Sequence, residues 1–189
     1  MENGLHELLI DELYDLHSSE EQIAEALLLL VPAADSSELK AAFESYLKET
    51  KGQLKSLDEI FKTFGLQRSE KICIGMKGLI QECKEVLKKF KTKSALRDAA
   101  LISKAQRMVH YEIAAYGTAR TFASEMDFEA IDDMLQAALD EAISVDKNFT
   151  RMAEGGLLKP GINHFAKISD QNNYIKLNKG FGIPKKKRT

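Results

Sequence analysis

Apolar residues recur at intervals of three, four or seven along the first third of the chain, the spacing of one face of an α-helix. The first run extends from near Gly4 to Pro32, a residue that a helix interior excludes. A second run follows candidate N-cap residues at Asp35–Ser37 and ends at Gly65. The two apolar faces consist of Leu5, Leu9, Leu13, Leu16, Ile23, Leu27 and Val31, and of Leu39, Phe43, Tyr46, Leu47, Leu54, Leu57, Phe61 and Phe64. Each helix should span about 40 Å, a length that favours a helical bundle.

The same spacing continues through the rest of the body. A shorter segment, roughly Ile72–Phe90, reads as a connecting helix. Thr92 or Ser94 can cap a third long run, and an interruption at Ser124–Asp127 offers a cap for a fourth. Gly155–Gly156 closes the fourth run, and no segment alternates as a strand would. The pattern therefore predicts an all-α, up-and-down four-helix bundle with an extra, shorter connecting helix.

Length and charge divide the chain into a body and a tail. With 189 residues, the chain suits one ordinary domain, which we expect over 1–156, followed by a flexible C-terminal tail over 157–189. From Lys159 onward there are eight Lys and Arg side chains against Asp170 alone, a net charge of +7. The remaining residues carry 19 basic and 28 acidic side chains, or −9. An acidic body thus precedes a basic tail.

The basic tail ends in Lys185–Arg188, a run that resembles a nuclear import signal and can also bind phosphates electrostatically. The acidic body offers no basic face with aromatic partners, which a nucleic-acid-binding domain would need. A solubilising tail is therefore the favoured interpretation, and contact with nucleic acid or another polyanion is the alternative.

The sequence also bears on location. No stretch of about 18 apolar residues is present, and the first residues include Glu2 where a signal peptide needs a basic start. We therefore expect a cytoplasmic protein without membrane contact.

Cys73 and Cys83 are ten residues apart, which fits neither a redox CxxC pair nor a zinc site, so reduced and packed thiols are expected.

Acidic residues interrupt the apolar faces of the predicted helices. Glu20 falls close to the centre of the first face, between Leu16 and Ile23, where a carboxylate is costly unless it is paired or bound to metal. The other inward or half-inward polar residues are Glu49 and Gln53 beside the second face, Glu112 and His110 on opposite sides of the third, and Asp146 near the centre of the fourth. A single Glu at a core edge is usually ion-paired or reaches solvent. One acid from each long helix nevertheless indicates a present or ancestral polar site.

Metal binding is the chemistry that such a site would carry. Dimetal bundles combine Glu residues from two helices with a Glu-x-x-His set from each of the other two. No Glu-x-x-His occurs here: His6 is too close to the N-terminus, His17 lies off the apolar face and His164 is in the tail. The candidate metal ligands are Glu20, Glu49, Glu112 and Asp146.

Several segments resemble the YciE/YciF family of ferritin-like bacterial stress proteins. They are Asp11–Tyr14 with Ser19–Gln22, Glu49–Gln53, Met76–Ile80, Arg97–Ile102 and His110–Thr118. The resemblance covers about residues 5 to 153 in order and with similar spacing. It implies a rubrerythrin-like bundle, a homodimer and a role in stress physiology, whereas the family's molecular activity is poorly defined.

Two departures from the family pattern affect the candidate metal site. Val109 stands where the family is expected to place a Glu before His110, and Ala142 stands where the fourth helix usually has a Glu. By the helical count, both positions are at the centres of their apolar faces. Replacing carboxylates by apolar groups favours a packed core over metal chemistry. We therefore expect a non-catalytic protein with a degenerate dimetal-carboxylate site. The alternative is a dinuclear iron or manganese redox protein, a metal-dependent oxidoreductase with an unusual ligand set.

Overall fold

The computed structural model describes residues 4–157 and 159–169, and within these ranges the protein is all-helical. The helices are α1 (Leu5–Ala33), α2 (Ser37–Phe64), α3 (Ile74–Lys89), α4 (Ala95–Glu125), α5 (Glu129–Glu154) and α6 (Ile162–Ser169). The four long helices α1, α2, α4 and α5 form the bundle, and α3 connects its two halves while packing on α1 and α4. The predicted four-helix bundle with an extra connecting helix is thus confirmed. None of the described helices has the length and apolar character that a membrane span requires.

Most helix ends follow the local sequence signals. The Ser36 hydroxyl accepts a hydrogen bond from the Leu39 amide at 3.4 Å, and the Ser94 hydroxyl accepts one from the Arg97 amide at 3.2 Å. Gly65 ends α2 with a φ of 65°, a left-handed conformation that glycine adopts without steric cost. These caps agree with the prediction.

The start of α5 corrects one prediction, because Ser124–Asp127 supplies no side-chain cap. The N-cap of α5 is Phe128, which makes no side-chain capping bond. Asp127 instead has a φ of 59°, and the Phe128 amide turns back to the Ala123 carbonyl at 3.0 Å. The segment therefore closes the C-terminus of α4, where a left-handed residue satisfies the last carbonyls.

A sixth helix lies within the segment that the sequence assigned to the tail. Ile162 and Ala166 on α6 are buried, and α6 packs against α4 and α5. The rest of the tail, with its basic run Lys185–Arg188, lies outside the described residues. The division into a domain and a flexible tail, and the role of that tail, stay predictions.

The hydrophobic core consists of two clusters separated by a polar layer. One cluster includes Ile23, Phe43, Met76, Ile102 and Phe149. The other includes Leu9, Leu13, Leu57, Phe61 and Leu135. Along each of α1, α2 and α4, buried polar residues fall between members of the two clusters; they are His17, Ser18, Ser19, Glu20, Thr50, Gln53 and Glu112. The candidate site therefore sits near the middle of the bundle.

Arg97 joins three helix ends at one end of the bundle. Its side chain is buried, and its guanidinium donates to the Phe90 carbonyl at 3.4 Å, to the Lys91 carbonyl at 3.2 Å and to the Ala33 carbonyl. The last carbonyls of a helix lack partners within the helix. Arg97 thus supplies donors to the ends of α1 and α3 from the first turn of α4.

The neighbouring Asp98 holds the start of α2. Its carboxylate accepts hydrogen bonds from the Asp35 amide at 2.9 Å and the Ser36 amide at 2.7 Å. Burial raises the pKa of Asp98, and the two amide donors oppose that rise. Arg97 and Asp98 together are called the end clamp below.

Candidate functional site

Glu20 of α1 and Glu112 of α4 meet at the centre of the polar layer. Both side chains are fully buried, because each residue lies on the face that its helix turns toward the bundle interior. The two carboxyl groups are close enough to interact electrostatically, and two buried carboxyls this close coexist when one of them carries a proton. We call them the central carboxyl pair. Glu20 is inward as predicted, and Glu112 lies deeper than the predicted position beside its helix face.

Two buried tyrosines donate to the outer oxygens of the central carboxyl pair. The Tyr116 hydroxyl donates to Glu20 Oε1 at 2.9 Å, and the Tyr46 hydroxyl donates to Glu112 Oε2. Within the described residues, the other oxygens, Glu20 Oε2 and Glu112 Oε1, have no hydrogen-bond partner. The pair and the tyrosines therefore form one chain of four polar groups that crosses the bundle.

Burial controls the protonation of these four polar groups. Desolvation raises the pKa of Glu20 to about 8, and desolvation together with the negative charge of Glu20 raises the pKa of Glu112 well above its ordinary value. Burial and the adjacent carboxyls also raise the pKa values of Tyr46 and Tyr116, so both hydroxyls keep their protons. At least one carboxyl of the pair is thus protonated at neutral pH.

Side chains of α2 line the pair on one side. Thr50 and Gln53 are buried, and Gln53 Nε2 donates to the Ala138 carbonyl of α5 at 3.5 Å. Glu49 is half-buried and accepts from the Ser45 hydroxyl at 3.0 Å. Burial raises the pKa of Glu49. The buried atoms Thr50 Oγ1, Gln53 Oε1 and Glu49 Oε2 have no hydrogen-bond partner among the described residues.

Asp146 lies apart from these groups. Its side chain is 22% exposed, accepts from Gln106 Nε2 at 3.0 Å and lies 3.1 Å from His110 Nε2. The inward position of this turn is taken by Val145, which is buried. Asp146 therefore sits at the α4–α5 edge of the bundle, and its predicted place near the centre of the helix face is wrong.

Val109 and Ala142 are both buried in one core cluster, as the helical count predicts. They fill the space where the resemblance leads us to expect carboxylates. Within residues 4–157 and 159–169, no group of three or more His, Cys, Asp or Glu side chains is arranged to hold a metal ion. The donors present, a protonated carboxyl pair without an imidazole, do not fit a dimetal centre, which requires several carboxylates and imidazoles.

Sequence reasoning missed the roles of three residues. Tyr46 and Tyr116 were assigned to the apolar faces, although a Tyr at a face centre needs a partner for its hydroxyl when buried. His17 was placed off the apolar face, yet it is buried and its ring stacks on Phe61 with a centroid distance of 5.3 Å. Its two ring nitrogens face Glu21 at 3.7 Å and Asp58 at 3.4 Å. His17 therefore joins α1 to α2.

Both cysteines are free and buried, in agreement with the sequence. The Cys73 sulfur caps α3 by accepting from the Met76 amide at 3.3 Å. Burial raises the pKa of Cys73 and raises that of Cys83 to about 11, so both groups are thiols at neutral pH. The thiolate is the reactive form, so burial lowers the reactivity of both cysteines.

Comparison with known proteins identifies the family. Residues 4–161 match the family described as "Domain of unknown function (DUF892)". Protein YciF of Escherichia coli strain K12 is 34% identical over 160 residues, which cover 84% of this chain and 96% of YciF.

Solved structures give the same result. The crystal structure of the E. coli stress protein YciF matches with a TM-score of 0.75 and 35% identity, covering 79% of this chain and 94% of that one. YcfI from Rhodopseudomonas palustris matches with a TM-score of 0.75 and 32% identity, covering 78% and 94%. A family match over most of the chain, together with the shared bundle, means that this protein belongs to the DUF892 family and is similar to YciF.

Proposed function

We propose that this protein is a YciF-type stress protein that acts without catalytic turnover and retains a degenerate form of a dimetal-carboxylate site. The observation that carries the proposal is the pairing at the bundle centre. Each carboxyl of the pair accepts from a tyrosine hydroxyl on one oxygen and lies close to the other carboxyl. A proton and two tyrosine hydroxyls thus offset the negative charge that cations offset in a dimetal bundle. Val109 and Ala142 are buried in the core cluster on one side of the polar layer.

A dinuclear iron or manganese redox protein is the second candidate. Unpartnered buried oxygens favour it: Glu20 Oε2, Glu49 Oε2, Thr50 Oγ1, Gln53 Oε1 and Glu112 Oε1. Hard cations prefer oxygen ligands, and filling these sites would require the carboxyl pair to lose its proton. In the part of the chain that the structure describes, no imidazole contacts the pair and Asp146 lies at the bundle edge, and both facts weigh against two ions.

Metal content separates the two candidates. The full chain is purified without chelators or an affinity tag that binds metal, from medium supplemented with iron and manganese, and the metals are counted per chain. We expect far less than one ion per chain, both for the natural chain and for Glu20→Gln with Glu112→Gln. About two ions per chain, lost in the double variant, would establish the dimetal protein and reject our proposal.

The stress role and location are part of the same proposal. YciF is described as a stress protein, and this chain shares its fold and about a third of its sequence. Two free, buried thiols suit a reducing compartment, and we propose the cytoplasm. Immunoblots of fractionated source cells, before and after osmotic or oxidative stress, should find more protein after stress and find it in the cytoplasmic fraction. An unchanged amount under both stresses would contradict the stress role.

We also propose a homodimer formed through the groove between α1 and α3. This groove has a volume of about 880 Å³ and carries exposed Leu29, Ile72 and Ile74, with exposed fractions of 52%, 56% and 82%. The inward side chains of α3, among them Met76 and Ile80, are already buried in the chain's own core. An exposed apolar patch of this kind is typical of an interaction site.

The charges along this groove suit a two-fold interface. Glu25 and Glu70 lie in the same groove as Lys77 and Lys84, so a two-fold axis can place acids of one copy against bases of the other. Light scattering should give the mass of a dimer for the natural chain and of a monomer for Ile74→Glu. Leu8→Glu, at a residue 53% exposed outside the groove, is the matched control and should stay dimeric. A monomeric natural chain would contradict the proposal.

A further inference from the structure

Exposed lysines lie close together at one corner of the bundle, where α3 ends and α4 begins. They are Lys88, Lys89, Lys91 and Lys93, and we call them the lysine corner. Sequence reasoning found no basic face on the acidic body, because these lysines are divided between the last turn of a helix and a loop. None of the four lines the groove between α1 and α3, so the proposed dimer leaves them accessible.

Charge is distributed unevenly around the lysine corner. The stretch 82–107, which runs from α3 into α4, carries eight Lys and Arg side chains against three acids, a net charge of +5. The rest of residues 1–158 carries 11 basic and 25 acidic side chains, or −14. An anionic partner is therefore attracted to this corner and repelled by the rest of the body.

The acids near the corner do not neutralise it. All three acids within 82–107 already have partners: Glu82 contacts Lys104 and Arg107, Glu85 lies 2.9 Å from Lys88, and the Asp98 carboxylate binds two amides. Within the described residues, Lys89, Lys91 and Lys93 form no ion pair. Three of the four charges of the corner are therefore uncompensated.

The backbone that carries these lysines is held in place by Arg97. The buried guanidinium donates to the Phe90 carbonyl at 3.4 Å and to the Lys91 carbonyl at 3.2 Å. Ser94 then caps α4, where its hydroxyl accepts from the Arg97 amide at 3.2 Å. The loop between α3 and α4 is therefore fixed before any partner arrives, which lowers the conformational entropy that binding must cost.

The chemistry of the corner favours the phosphates of a nucleic acid duplex. Lysine ammonium groups bind phosphates as point charges, and such contacts do not read base sequence. A single strand also requires exposed rings for base stacking, whereas Phe90 is half-buried with Lys89 over its ring. A membrane surface requires exposed apolar side chains beside the bases, whereas the exposed residues within 88–93 are all polar.

The basic tail begins at the same end of the bundle. Phe165 of α6 and Ala95 in the first turn of α4 line one cleft, so α6 lies beside the start of α4. Residues 170–189 follow α6 and carry six basic side chains and one acid, a net charge of +5. Two weak contacts on one chain reinforce each other when a single partner can meet both.

From these observations we infer that the lysine corner binds the phosphate backbone of double-stranded nucleic acid without reading its sequence, and that the basic tail supplies a second contact. This function goes beyond the proposed stress role. It depends neither on the central carboxyl pair nor on the metal content of the protein.

Fluorescence anisotropy of a labelled DNA duplex of about 20 base pairs, titrated with the full chain, tests the inference. We expect saturable binding whose logarithmic dependence on salt has a slope of about −3.6 or steeper, because four phosphate contacts each contribute about −0.9. A second duplex of unrelated sequence should bind within about twofold of the first. No saturable binding at about 50 mM salt, or binding that is independent of salt, would overturn the inference.

Two variants with equal loss of charge locate the contact. The corner variant carries Lys88→Gln, Lys89→Gln, Lys91→Gln and Lys93→Gln, and the control carries Lys48→Gln, Lys51→Gln, Lys55→Gln and Lys62→Gln at exposed positions of α2. The corner variant should bind at least about tenfold more weakly, with a salt slope reduced by about 3, whereas the control should bind within about threefold of the natural chain. Equal losses in the two variants would mean that net charge alone drives binding, and would reject the corner.

A tail variant and lipid vesicles separate the corner from the other possible contacts. Lys185→Gln, Lys186→Gln, Lys187→Gln and Arg188→Gln in the full chain should weaken duplex binding while leaving it sensitive to the corner substitutions. Loss of all binding in the tail variant, with none in the corner variant, would assign the site to the tail and overturn the inference. Vesicles of phosphatidylglycerol and phosphatidylcholine should retain little protein, and retention on vesicles without duplex binding would make the corner a membrane contact instead.

Discussion

The end clamp and the central carboxyl pair both bury charged side chains, but they satisfy them in different ways. Arg97 and Asp98 bind backbone groups at helix ends, which have no partner within their own helices. Among the described residues, Glu20 and Glu112 have only side-chain partners, and they coexist by holding a proton. Buried ionisable groups therefore stabilise this fold where backbone groups receive them, whereas at the centre they make it depend on pH.

The largest effect should come from adding acids to the centre. Val109→Glu with Ala142→Glu places two more carboxyls beside the central pair, where neither new group has a donor. We expect the free energy of unfolding to fall by about 4 kcal/mol or more without metal. Iron or manganese at about one hundred times its Kd should restore about 3 kcal/mol.

Thermal melting with and without metal measures both changes. The natural chain, as the control, should melt at nearly the same temperature in both conditions. If the melting temperature of the double variant is the same with and without metal, the side chains at 109 and 142 do not share a site with Glu20 and Glu112.

Truncating Asp98 of the end clamp should lower the free energy of unfolding of the protein. Asp98→Ala leaves the Asp35 and Ser36 amides without their acceptor at the start of α2, and we expect a loss of about 3 kcal/mol. Denaturant unfolding monitored by circular dichroism measures it. Asp133→Ala, at an exposed residue of α5, is the control and should change stability by less than about 1 kcal/mol. Equal effects of the two variants would remove the contrast between the clamp and the surface.

The central pair should make stability fall as pH rises. An ordinary carboxyl pKa is 4.5, and burial raises that of Glu20 to about 8. Between these values the folded chain holds a proton that the unfolded chain releases, so rising pH favours unfolding. Glu20→Gln keeps the acceptor for Tyr116 and supplies a donor to Glu112, but it carries no titrating proton.

Comparing Glu20→Gln with the natural chain isolates the contribution of Glu20 to the pH dependence of stability. The variant should gain relative stability by about 1 kcal/mol for each pH unit between pH 4.5 and about 8. Denaturant unfolding at several pH values measures the difference. Parallel pH profiles would mean that Glu20 is ionised in the folded protein throughout this range.

The smallest effect should be at Asp146. Asp146→Asn weakens a contact with His110, whose side chain is 65% exposed, and such partly exposed pairs contribute about 0.5 kcal/mol. Thermal melting should therefore change little, in contrast to the acids added at Val109 and Ala142. A loss of several kcal/mol would place Asp146 in the bundle interior after all.

Hydropathy spacing was enough to predict the long helices, the buried Glu20 and the inward positions of Val109 and Ala142. It did not separate Asp146 from the inward set, since one residue of rotation decides between the core and the α4–α5 edge. The tyrosine donors, the contacts of the end clamp and the partners of His17 depend on side chains far apart in sequence, which spacing along one helix does not reveal. Helix α6 is short, and its eight residues are too few for a periodic signal.

The central pair also has a consequence for how the helices are aligned. Leucine and alanine faces permit several lengthwise alignments of two helices at similar energy, because apolar contacts are not directional. Sliding α1 against α4 by one turn, about 5.4 Å, would move Glu20 away from Glu112 and Tyr116 and into apolar surroundings. Glu20 and Glu112 therefore specify the register of α1 against α4, and this role does not depend on metal binding.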